Sequence, residues 1–152
     1  MENLKPVCDF DQYECEFISA YDGDSFWVRL RRTWDFGFRM QIGGTKKVNV
    51  RLLGADTPEL RDKRPDWKAA AILARDLVRK WITEKPVIFL SLDKPDKYGR
   101  ALGDFQRVET GERLSDYILS HHLGVAYEGE NKAVVEAAHM ANIQALKKTG
   151  QI

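Results

Sequence analysis

Three short segments of this 152-residue chain put charged side chains where packing alone would not choose them. Asp22-Gly23-Asp24-Ser25 lies between two alternating runs and reads as a hairpin turn. In Arg51-Leu52-Leu53-Gly54-Ala55-Asp56-Thr57-Pro58-Glu59, an arginine on an apolar strand is followed by an aspartate and a glutamate. Asp96-Lys97-Tyr98-Gly99-Arg100 opens a further strand. Carboxylates from separate loops suit a hard divalent cation, because calcium and magnesium prefer oxygen ligands. Two arginines suit a phosphodiester, since the planar guanidinium grips phosphate oxygens in pairs. A remaining glutamate can orient or deprotonate a water. Each segment has a plain structural reading beside this one: Asp-Gly-Asp turns are common, and the arginines could serve only as ion-pair partners of the same acids. Their joint occurrence is what points to metal-assisted chemistry on a phosphate ester.

The elements that must hold these residues follow from periodicity. A strand is expected over 13–20, and beyond the turn Phe26, Val28 and Leu30 alternate with Trp27, Arg29 and Arg31. Residues 34–42 alternate again, Gly43-Gly44 is expected to turn the chain, and Val48, Val50 and Leu52 continue a strand that ends at Gly54. Pro58 makes 55–58 a loop. Pro65 or Asp66 can open a helix with Trp67, Ala70, Ala74, Leu77 and Trp81 along one face, ending before Pro86. Val87–Leu92 and Arg100–Val108 read as strands, and 112–121 and 130–148 as helices, with Gly150 a C-terminal stop. The order β-β-β-α-β-β-α-α predicts an α+β, mainly β, fold: a five-stranded OB-fold β-barrel with three flanking α-helices. The expected division is a leader over 1–12, one domain over 13–148 and a short tail over 149–152.

Composition bounds the partners. No apolar run is long enough to span a membrane, and no export signal is visible. A cytoplasmic location is the expectation, with a mature secreted form or a phage-encoded origin left open. The net charge of +1 says nothing by itself about nucleic acid. Cys8 and Cys15 form no metal-binding pattern and read as two free thiols. His121, His122 and His139 have no ligand spacing and read as helix-surface or partly buried residues.

In order and spacing, the three segments resemble the staphylococcal nuclease-like (thermonuclease) family, and the element order agrees over about 13–147. The resemblance implies that Asp24 and Asp56 bind a calcium ion, joined by the carbonyl of Thr57 and by waters. It implies that Glu59 directs the attacking water, and that Arg51 and Arg100 bind the scissile phosphate. Lys97, Tyr98 and Tyr127 match positions around the family's nucleotide pocket. The implied reaction is in-line attack of water on phosphorus, with little sequence preference, leaving 3′-phosphate ends on DNA or RNA; the implied state is a monomer. The chain departs from the pattern at Ser25, where threonine is usual. Glu128-Gly129-Glu130 lacks a second pocket tyrosine, 32–46 is longer than the simplest members' hairpin, and the tail has no tryptophan.

Two other functions fit the same fold. One is a catalytically silent OB-fold module that binds nucleic acid or protein; against it, all five charged positions carry competent residues. The other is a phosphodiesterase with a small-molecule substrate. The aromatics Trp34, Phe36 and Phe38, interleaved with Arg31, Arg32, Arg39, Lys46 and Lys47, fit either a base-stacking arm or ordinary barrel packing, and the second is the expectation.

Overall fold

The structure, a computed structural model, describes residues 11–35, 39–92, 95–127 and 132–152, and for 11, 32–35, 39–46 and 132 the backbone alone. In chain order the elements are β1 (Asp11–Asp22), β2 (Ser25–Asp35), β3 (Arg39–Leu52), β4 (Gly54–Asp56), α1 (Pro65–Glu84), β5 (Val87–Ser91), β6 (Ala101–Arg107), α2 (Leu114–Ser120), β7 (Val125–Tyr127) and α3 (Lys132–Lys148).

β1, β2, β3, β6 and β5 close into a barrel in that order. The expected five-stranded barrel with three helices is therefore what is found. Its apolar interior follows from the period-2 pattern: Phe26, Val28 and Leu30 from β2 point inward with Val50 and Leu52 from β3. They meet Phe89 and Phe105, whose rings lie 5.1 Å apart, while Phe26 meets Phe105 edge-on at 5.5 Å. α1 covers one end with Ala74, Val78, Trp81 and Ile82. Its buried face is thus shifted from the expected one, and Trp67 and Leu77 are only half-buried. α3 docks on α1 through Ile143 and Leu146 against Ala70.

Three expectations need correction. Gly43-Gly44 does not turn the chain: β3 runs through it. Between the pairs Leu30↔Lys46 and Arg32↔Ile42, β3 carries extra residues, so the glycines sit in a bulge. The barrel strands pair mostly antiparallel, and one parallel contact, β3 with β6, closes the barrel. Two short strands went unforeseen: β4, where a loop was expected, pairs antiparallel with β7. Strand β1 is longer at both ends than 13–20. The side chains of the aromatic stretch, Trp34 included, and all of 36–38 lie outside the described residues, as does Cys8. Cys15 carries a free thiol, pushed up to about 12 by burial and by Glu16.

Candidate active site

At the β1–β2 turn, Asp22, Gly23 and Asp24 are all buried. Gly23 is required by space: a Cβ there would lie 2.8 Å from Cγ2 of Thr57 and 2.9 Å from its Oγ1. That close approach lets the Thr57 backbone N–H donate to Asp24 Oδ2 at 2.8 Å, tying the turn to the chain after β4. The Asp22 carboxyl is held well above the usual carboxylate range, first by burial and then by the charge of Asp24.

Arg51, on the outer face of β3 opposite Ser25, clasps both metal-ligand candidates. Its Nη2 donates to Asp56 Oδ1 at 3.1 Å, and its Nη1 lies 3.3 Å from Asp24 Oδ2. The same Nη1 faces the carbonyls of Leu52 and Ala55 at 3.1 and 3.2 Å. The guanidinium is thus turned onto the acids. Asp56 is further approached by His139 Nε2, 2.9 Å from its Oδ2.

Arg100 is aimed by its own loop. Asp96 Oδ1 accepts the backbone N–H groups of Tyr98 and Arg100 at 3.0 and 2.8 Å. Asp96 Oδ2 accepts from Arg100 Nε at 2.7 Å, and Arg100 Nη1 reaches Ser25 Oγ at 3.4 Å. Burial raises the Asp96 carboxyl, but these hydrogen bonds and the charge of Arg100 outweigh it and leave it low. Tyr98, 73% exposed, stands with Lys97 Nζ 5.2 Å and the Arg100 guanidinium carbon 5.7 Å from its ring centre.

These residues share one open groove of about 1390 Å³, lined by Asp24, Arg51, Glu59, Lys97, Tyr98, Arg100 and Tyr127 among others. Asp56 and Thr57 do not line it. They lie behind Asp24 and Arg51, Asp56 bonded to Arg51 and Thr57 to Asp24. Glu59 stands on the wall and accepts from Arg61 Nε at 2.9 Å.

Asp22, Asp24 and Asp56 are buried near one guanidinium, and Thr57 Oγ1 beside them is buried with no hydrogen-bond partner among the described residues. Clustered buried acids and an orphaned hydroxyl are what an oxygen-seeking cation would relieve, so the donor set fits a hard ion. Among the described residues no group of three or more His, Cys, Asp or Glu side chains could hold a metal. Such an ion would therefore need backbone carbonyl or water ligands besides the two aspartates.

Residues 49–151, more than half of the chain, match the model of the staphylococcal nuclease homologue family. The chain belongs to that family. The matched region holds every candidate residue except Asp24, which the fold supplies through Thr57. A comparison with curated proteins found no match. Membership makes this a nuclease-type or nucleic-acid-binding fold, and among the described residues no helix is long and apolar enough to cross a membrane.

Three residues of this nuclease-homologue site escaped the sequence reading. Asp96 heads the third charged segment but carried no role of its own there, although an Asp four residues before an Arg is the spacing that its clamp uses. His139 shares a helical stripe with Val135, Ile143 and Leu146, so its burial was readable, but its partner lies 83 residues away in sequence. Asp104, a buried acid on the outer face of β6 beneath α2, accepts from the Ser115 backbone N–H at 3.2 Å and from the Ser115 hydroxyl. It thereby caps α2, whose own N-cap residue Arg113 makes no side-chain cap.

Proposed function

We propose that this protein is a calcium-dependent nuclease that hydrolyses phosphodiester bonds of DNA or RNA with little sequence preference. One observation carries the reading: Arg51, Arg100, Glu59 and the buried Asp24 line a single groove that is flanked by the exposed Tyr98, with Asp56 directly behind Arg51. The groove exceeds the roughly 300–1,000 Å³ of ordinary small-molecule sites, which favours a polymer over a small phosphodiester.

When bound between Asp24, Asp56 and the Thr57 carbonyl, calcium would supply positive charge against a phosphate oxygen and a seat for water. Arg100, already aimed by Asp96, donates to the oxygens on which charge builds during attack. Glu59 orients the incoming water or takes its proton. Tyr98 offers a ring face to any base, and such stacking contributes about 1–3 kcal/mol per base without reading sequence. Lys97 adds a phosphate-directed charge, and Tyr127 lines the same groove. In-line displacement of the 5′ oxygen leaves 3′-phosphate ends.

The test is incubation with single-stranded and duplex DNA at mildly alkaline pH, with calcium or with chelator. Cleavage in calcium alone is expected, and Glu59→Gln and Arg100→Ala should each lower the rate about a hundredfold or more with the fold intact. Binding without cleavage would identify the silent OB-fold module instead. Near-normal rates in either variant would reassign the roles.

A further inference from the structure

We infer that His139 is a positioning residue for the metal ligand Asp56, and that through it the docking of α3 is coupled to cation binding; this rests on the calcium reading above. The Asp56 carboxylate is held from two sides. Arg51 Nη2 takes Oδ1 at 3.1 Å, and His139 Nε2 takes Oδ2 at 2.9 Å. A carboxylate oxygen accepts, so the Nε2–H is donated to Asp56. Nδ1 is buried and has no hydrogen-bond partner among the described residues. The His139 and Asp56 side chains are each only 5% exposed, so water does not replace the contact.

The ring is held in turn. Trp67 of α1 packs against it at 5.6 Å between centres, and the Arg64 guanidinium carbon lies 3.7 Å over the Trp67 ring. Arg64 also pairs with Glu136, on the same helix as His139, at 3.0 Å. The start of α1 and the body of α3 therefore form one frame around the imidazole. Groups that orient a metal ligand from outside typically change metal affinity about 10- to 100-fold when removed. Here that group belongs to the C-terminal helix, otherwise docked chiefly by Ile143 and Leu146. Whatever tightens α3 then tightens the hold on the cation, and by linkage the reverse is equally true.

The experiment compares the full chain with His139→Gln and His139→Asn. Glutamine can place an amide N–H where Nε2 lies, whereas asparagine reaches only the Nδ1 position. Both introduce a similar buried amide, so a loss of fold alone would affect them alike. Calcium chloride is titrated calorimetrically without substrate, melting temperature is measured in chelator, and amide exchange over 132–148 is followed with and without calcium. His139→Asn is expected to bind calcium roughly 10- to 100-fold more weakly, with His139→Gln within a few-fold of the parent. Calcium should slow exchange across α3 in the parent and in His139→Gln but not in His139→Asn. Unchanged affinity in His139→Asn, or equal losses in both variants, overturns the positioning role. Exchange in the parent that ignores bound calcium overturns the coupling, and needs no variant. A parent that binds no calcium overturns the metal reading itself and this inference with it.

Discussion

At the scale of single residues, the site depends on side chains that hold other side chains. Arg100 would be a long, mobile cation on a loop without Asp96, which binds its Nε and two backbone N–H groups of the same turn. Hydrogen bonds to charged groups contribute about 1.5–3 kcal/mol, so losing this clamp should be felt in the role proposed for Arg100. Asp96→Ala is expected to lower kcat about tenfold or more, with a melting temperature within a few degrees of the parent. Asp96→Asn keeps a backbone acceptor while losing the charge, and should fall between them. Steady-state cleavage of a labelled oligonucleotide alongside a thermal melt checks both. A variant whose kcat holds while its melt collapses would make Asp96 a loop residue only. Gly23 belongs to the same scale, since its missing side chain is what allows Thr57 to reach Asp24.

At the scale of elements, much was legible from alternation. The inward phenylalanine and valine of β2, the end of α1 before Pro86 and the turn at Asp22-Gly23-Asp24 all follow from local pattern. What was not legible were pieces too short to have a period. β4 and β7 are three residues each, yet their pairing places Asp56 opposite Val125 and Gly54 opposite Tyr127. Barrel closure was likewise hidden, because the parallel β3–β6 contact joins segments that only tertiary structure makes neighbours. It has a readable cost at Gly103, the partner of both Leu52 and Ser91. A Cβ there would lie 2.2 Å from the Leu90 carbonyl oxygen and 2.6 Å from the Phe89 ring. Gly103→Ala should destabilise by about 3 kcal/mol or more, the upper range for overpacking, seen as a lower urea midpoint at unchanged slope. A midpoint equal to the parent's would mean that β5 and β6 separate more easily than their packing implies.

At the scale of the whole molecule, stability should carry a signature of the buried acid on β6. Burial pushes the Asp104 carboxyl up to about 6, against the hydrogen bonds from Ser115 and Phe105 that pull it down. The folded state therefore holds this proton more tightly than the unfolded chain does. Its contribution is whole below about pH 4 and is lost as pH rises through about 6, a change of about 3 kcal/mol. Asp104→Asn removes that titration, so its stability should decline less than the parent's between pH 4 and 7. Chemical denaturation across that range measures it, and parallel curves would show that Asp104 titrates normally.

The sequence by itself determined the chemistry on offer and the materials of the fold. Asp24, Arg51, Asp56, Glu59, Tyr98 and Arg100 declare themselves by type and spacing, and the strands and helices declare themselves by period, because both signals are local. Only the tertiary structure decided which acids stand together, that Arg51 turns onto them, and that His139 of the last helix reaches Asp56. Those are contacts between residues far apart in sequence. They are set by how a closed barrel and its helices share one core, and no local pattern encodes that.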